Sequence, residues 1–74
     1  IRLTNNESKI LALLVRNANK ILPRHRLIKA LWDDERFVDD NTLTVNINRL
    51  RKKLKELGFI DYIETIKGQG YRVS

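Results

Sequence analysis

Leu43, Ile47, Leu50, Leu54 and Leu57 recur at intervals of four, three, four and three residues. At helical pitch this spacing lines all five along one narrow stripe, so residues 41–57 are expected to form a helix with one face against a core. Asp40, Asn41 or Thr42 is expected to cap its start, since short polar side chains accept the first free N–H groups. Gly58 stands just past the stripe, where glycine commonly ends a helix. A helix this long dominates a chain of 74 residues. The rest is expected to fold around it as one domain, 1–74, which at this size buries only roughly 60% of its extended surface.

The flanking segments supply the other walls of that core. Thr4 followed three residues later by Glu7 is a capping-box pattern. Ile10, Leu11, Leu14 and Ala18 then share a face, which predicts a first helix over 5–17 with Asn19 as a stop. Ile21-Leu22 is too short to read as a strand. Pro23 is tolerated at a helix start because its missing N–H would be unpaired there. Leu27, Ile28, Leu31 and Trp32 repeat at helical spacing, predicting a second helix over 24–32. Residues 33–40 show no helical period and carry Phe37-Val38 among acids, which reads as a loop with an apolar anchor. The tail changes texture: Tyr62 to Ile66 is β-branched and aromatic, Lys67-Gly68-Gln69-Gly70 is a turn, and Tyr71-Arg72-Val73 returns. Such a hairpin is marginal alone and must pack on the helices. The expected class is mainly α with a small β-hairpin.

Charge then limits the partners. Fifteen Lys and Arg face nine Asp and Glu, a formal net charge of +6. A basic balance points to an anionic partner, nucleic acid first, although it also serves solubility. Its distribution is blocked: Lys20, Arg24, Arg26 and Lys29 form a basic stretch, Asp33, Asp34, Glu35, Asp39 and Asp40 an acidic one, and Arg49, Arg51, Lys52, Lys53 and Lys55 a second basic one. Separate blocks imply separate surfaces.

Several classes recede. Cysteine is absent and His25 is the only histidine, so no metal site and no cofactor are expected. The acids at 33–40 lack the spacing and central glycine of a calcium loop. No nucleophile has an evident base, and no helix follows 67–70 as a phosphate loop requires. No catalytic residues and no enzyme are expected. No apolar run nears the ~20 residues of a membrane span, and the Leu stripe that would suit a membrane surface is needed for the core. A cytoplasmic location fits.

The face of the third helix opposite the stripe holds Asn41, Val45, Asn48, Arg49 and Lys52, with Thr44 and Arg51 on its flanks. Asn and Arg pair bidentately with adenine and guanine edges, and Val or Thr methyls touch the thymine methyl. Lys52, Lys53 and Lys55 suit phosphate. An ordinary solvated face would carry Glu and Lys pairs instead. Duplex DNA is thus the expected ligand, with this helix in the major groove. The alternative is a module for RNA or a protein, but RNA readers offer aromatic stacking surfaces and this helix has no aromatic. A basic hairpin tip at Lys67 suits an adjacent minor groove.

The order of elements, with Leu3-Thr4-x-x-Glu7, Leu27 to Trp32, NTLTVNINRLRKKL from Asn41, and Thr65-Ile66-Lys67-Gly68-Gln69-Gly70-Tyr71-Arg72, resembles the winged helix-turn-helix effector domain of OmpR/PhoB-type response regulators. More narrowly, WDDERFVDDNTLTVNINRLRKKL is similar to regulators of antimicrobial-peptide and cell-envelope-antibiotic resistance in Gram-positive bacteria. The resemblance implies a three-helix core with a hairpin wing, and a two-component transcription regulator as the whole protein. It implies base contacts from Val45, Asn48, Arg49 and Arg51. It assigns phosphate or sugar contacts to Asn41, Thr42, Thr44, Asn46, Lys52, Thr65 and Tyr71, and the minor groove to Lys67. The loop of Asp33, Asp34, Glu35, Arg36, Phe37, Val38, Asp39 and Asp40 would face RNA polymerase. Several family members carry a second basic residue where Asn48 stands and Arg where Lys67 stands, so base specificity does not transfer. The family's N-terminal sheet is expected to be largely missing, with only Ile1-Arg2-Leu3 left. The receiver domain, which drives homodimerisation in full-length members, is expected to be absent too. The chain is therefore expected to be a monomeric fragment.

Overall fold

The computed structural model describes residues 2–32 and 39–74, with Trp32 described through its backbone only. The elements run α1 (Asn5–Arg16), β1 (Leu22–Pro23), α2 (Arg24–Trp32), α3 (Asp40–Glu56), β2 (Glu64–Ile66) and β3 (Gly70–Arg72).

Helix α1 begins at the expected capping box. Thr4 Oγ1 accepts from Glu7 N at 3.2 Å, and Glu7 Oε1 accepts from Thr4 N at 2.7 Å. Its end falls at Arg16, one residue before the expected boundary. Asn17 is the cap, and its Nδ2 donates to Leu13 O at 2.8 Å. Asn19, the expected stop, lies beyond the helix with φ 69°. Its N–H donates to Val73 O at 2.7 Å, tying the turn to the C-terminal segment.

The short Ile21-Leu22 segment requires a correction. Leu22–Pro23 is a strand, paired antiparallel with β3 through Leu22↔Tyr71 and Pro23↔Gly70. A two-residue strand has no periodicity of its own; a partner distant in sequence creates it. Proline is allowed because it sits on a sheet edge, where a missing donor costs no ladder bond. The sheet order is β1-β3-β2, so the hairpin is the outer part of a three-stranded sheet. Glu64 lies opposite Arg72, and Arg72 Nη2 reaches Glu64 Oε2 at 2.8 Å. Gln69 N donates to Ile66 O at 2.9 Å across a turn in which Gly68 adopts φ 74°. Arg2 and Leu3 belong to no strand, and Ile1 is outside the described residues.

Helix α3 is displaced by one residue from the stripe that predicted it. Its cap is Asp39 rather than Asp40, Asn41 or Thr42: Asp39 Oδ1 accepts from Thr42 N at 2.8 Å. At the other end, Gly58 N donates to Lys55 O at 3.0 Å and Phe59 N to Leu54 O at 2.9 Å, with Gly58 at φ 95°. These are the two bonds of a Schellman termination. Leu57 becomes the cap residue and is 55% exposed. It therefore leaves the core stripe. The core joins Ile10 and Leu14 of α1, Leu22, Leu27 and Leu31, Leu43, Ile47, Leu50 and Leu54 of α3, and Ile63, Tyr71 and Val73. Leu11, Ala18 and Ile28 pack against it from partly buried positions.

Candidate nucleic-acid interface

Burying Leu43, Ile47, Leu50 and Leu54 turns the opposite side of α3 outward. Asn41, Val45, Asn48, Arg49 and Lys52 are all exposed there, Val45 to 45%. Positions 41, 45, 48, 49 and 52 follow helical spacing, so they form one surface. Val45 is thus a β-branched apolar side chain half open to water amid Asn and Arg. Lys67 is exposed at the hairpin turn.

The remaining expected contacts are sorted by their hydrogen bonds. Asn46 is only 7% exposed, and its Nδ2 donates to Thr42 O at 2.9 Å within the helix. It faces inward because it shares a side with Leu43 and Leu50. Thr42 Oγ1 donates to the capping Asp39 carboxylate at 2.9 Å. The guanidinium of Arg51 points away from the outward face. Its Nε and Nη2 donate to Ile63 O at 3.1 and 3.0 Å, and Nη2 also donates to Thr65 Oγ1. Thr65 is exposed on β2, and Tyr71 is 5% exposed beneath it.

Arg24, counted from sequence only as part of a basic block, is the hub of this region. Its Nη1 donates to Tyr71 Oη at 2.6 Å, and its Nη2 to Thr44 Oγ1 at 2.9 Å and Asp40 O at 2.8 Å. Its Nε pairs with Asp40 Oδ1 at 3.1 Å. The guanidinium carbons of Arg24 and Arg51 lie 5.6 and 5.7 Å from the centroid of the Tyr71 ring. Burial alone would lower the Arg24 pKa, but Asp40 and Tyr71 raise it above its ordinary value. No local pattern could have found this residue, because its partners lie 16, 20 and 47 positions away.

One further group behaves differently from expectation. Lys53 does not point to a phosphate surface: its Nζ donates to Glu7 Oε1 at 2.6 Å and to Arg2 O at 3.0 Å. Glu7 is wholly buried. Burial raises its carboxyl pKa, but the bonds from Lys53 and Thr4 outweigh that and hold it below the ordinary 4.5. Position 53 flanks the Leu50–Leu54 stripe, which was the available signal. In the acidic loop, residues 33–38 lie outside the described residues. Asp39 and Asp40 are occupied as the cap of α3 and as the Arg24 partner. The Thr42 amide and hydroxyl hold Asp39 below its ordinary 3.8.

A recessed stripe, an outward Asn, Val and Arg face and a basic hairpin tip are thus held in one frame. Residues 1–73 match the family model described as "Transcriptional regulatory protein, C terminal". The chain belongs to this family. It is similar to the sensory transduction protein BceR of Bacillus subtilis, with 61% identity over 71 residues, 96% of this chain and 31% of that protein. The chain thus spans less than a third of this relative's length. Among solved structures, the C-terminal domain of NsrR, a lantibiotic response regulator for nisin resistance, superposes with a TM-score of 0.85 at 41% identity, covering 99% of this chain and 74% of that one. The response regulator AdeR DNA-binding domain, solved in complex with an intercistronic region, gives 0.88 at 27%, covering all of this chain and 74% of that one. The fold is the winged helix of response-regulator effector domains. The expected kinship with antimicrobial-peptide resistance regulators is also met. Relatives of this kind are regulators of transcription rather than enzymes.

Proposed function

We propose that this domain binds double-stranded DNA in a sequence-specific manner, as the effector module of a two-component transcription regulator. The observation that carries this reading is the outward face of α3. Asn48 and Arg49 stand exposed beside half-exposed Val45, a set suited to base edges and the thymine methyl in the major groove. Lys52 and Asn41 flank them toward phosphate, and Lys67 approaches the minor groove from the wing. Thr44, Thr65 and Tyr71 add backbone contacts along the seam between helix and wing. Arg51 belongs to that seam as a clamp, and Thr42 and Asn46 support the helix from within.

The full-length regulator would carry a receiver domain, and its homodimer would set two such modules on paired half-sites. The segment 33–40 would contact RNA polymerase. Among the described residues no helix is long and apolar enough to cross a membrane, and a cytoplasmic location suits a DNA partner.

Selection from random duplexes, followed by binding at two salt concentrations, tests the reading. An enriched motif is expected. Arg49→Ala should relax preference at one base position at a cost of ~1–3 kcal/mol. Lys52→Ala should weaken all duplexes alike and reduce the salt slope by about 0.9. Selection with no enriched motif would refute sequence-specific recognition.

A further inference from the structure

Three exposed or seam-lining hydroxyls meet where α3 joins the wing: Thr44 on α3, Thr65 on β2 and Tyr71 on β3. Each accepts a hydrogen bond from an arginine. Arg24 donates to Thr44 at 2.9 Å and to Tyr71 at 2.6 Å, and Arg51 donates to Thr65. A guanidinium has only donors and never loses its charge, so the direction of these bonds is fixed. A hydroxyl that must accept on one side keeps its own O–H to give on the other. None of these three O–H groups donates to another described residue. Thr42 is the contrast: its neighbour is the Asp39 carboxylate, an acceptor only, so its proton is turned into the protein.

We infer that Arg24 and Arg51 are positioning residues that set the hydroxyls of Thr44, Thr65 and Tyr71 as hydrogen-bond donors for the phosphodiester oxygens of the bound duplex. The inference rests on the DNA-binding reading and adds to it the residues that orient the backbone contacts. Both guanidinium carbons lie within 5.7 Å of the Tyr71 ring centroid, so the ring is fixed at the same time as its hydroxyl. Cationic donors polarise the O–H they contact and make it a stronger donor. The positive charge is used indirectly: Arg24 is committed to two hydroxyls, a carbonyl and the Asp40 carboxylate, Arg51 to a carbonyl and a hydroxyl, and the hydroxyls face the anion.

The test is a set of mutant cycles on the whole domain with the duplex found by selection. Tyr71→Phe and Thr44→Val should each weaken binding roughly tenfold, the scale of a hydrogen bond to a charged group. Arg24→Met should lose about as much as both together, and adding either hydroxyl variant to it should cost less than about twofold further. Its slope of log affinity against log salt should match the wild type, because a phosphate-contacting arginine would lower it by about 0.9. Arg24→Lys, which retains charge but not the fork, should recover only part of the loss. It replaces Arg24→Met in the cycle if circular dichroism shows that variant unfolded. Additive losses, or a reduced slope for Arg24→Met, would overturn the assignment. If the wild-type domain binds the selected duplex but Tyr71→Phe and Thr44→Val bind it normally, this inference alone fails. If the wild type binds no duplex, the functional reading fails with it.

Discussion

Replacing Lys53 by methionine isolates a buried charge. Glu7 is 0% exposed and the Lys53 side chain 29%. Glu7 Oε1 receives the ammonium at 2.6 Å and the Thr4 amide at 2.7 Å, and Oε2 has no partner among the described residues. Lys53→Met preserves most of the aliphatic stem and leaves this carboxylate with a single neutral donor. Breaking a buried pair from one side costs about 3–5 kcal/mol. Because Lys53 is partly open to water, the lower end, about 3 kcal/mol, is expected. A domain of this length has roughly 4–11 kcal/mol in total, so Tm should fall by roughly 12–24 °C.

The pH dependence distinguishes this cause from lost packing. In the wild type the folded Glu7 pKa is depressed, so the pair's contribution is full above 4.5 and lost as pH falls through the folded value. In the variant burial acts with little opposition, the folded pKa rises, and the penalty applies only while Glu7 stays ionised. The gap between wild type and variant should therefore be widest near neutrality, narrow as pH falls through about 4.5, and close only below the depressed folded value of the wild type. Urea denaturation followed by circular dichroism at several pH values measures it. Adding Glu7→Gln should recover stability in the Lys53→Met background, since it removes the stranded charge. A gap under about 1 kcal/mol, or one constant with pH, would show that no charge is stranded at Glu7. A reduced salt slope for DNA would instead return Lys53 to the phosphate surface first expected for it.

Two other perturbations follow from local geometry. A Cβ on Gly70 would lie 1.9 Å from Leu22 O and 3.0 Å from Pro23 Cα, with φ at 154°, so Gly70→Ala should break the β1–β3 pairing and cost about 3 kcal/mol or more. Gly68→Ala, in open space at φ 74°, should cost only about 1–2 kcal/mol of backbone strain, and equal losses in urea denaturation would contradict this contrast. Asp39→Ala should fray the first turn of α3, seen as faster hydrogen exchange at the Thr42 amide, while Asp39→Asn should retain most protection because it still offers a capping oxygen.

The parts of this fold legible in the sequence are those with local causes. A capping box at Thr4 and Glu7, a repeated stripe in α3 and a glycine at position 58 each act within one helical turn, and each appears in the structure. Strand β1 was illegible because Leu22 and Pro23 become a strand only against Tyr71 and Gly70. The one-residue error at the start of α3 has a similar source. Four successive polar residues, Asp39 to Thr42, are all competent caps, and the stripe alone does not choose among them. The outward face of the candidate site was legible, since burial of one helix face determines the opposite one. Its flanks were not: the direction of Arg51 depends on where the wing docks.

The same distinction changes how net charge should be read. A formal +6 treats every cation as available, yet the structure divides them by work. Lys53 balances a buried acid, Arg72 crosses to Glu64, and Arg24 and Arg51 hold the wing against α3. Arg49, Lys52 and Lys67 form no hydrogen bond or ion pair with another described residue, and they lie on the helix face and wing tip directed outward. Electrostatic attraction to DNA requires only an excess of cations nearby. Reading a sequence requires a few side chains held at fixed distances from one another. On the proposed DNA-binding reading, arginines withdrawn from the free surface would supply that rigidity, and the outward cations would supply the attraction.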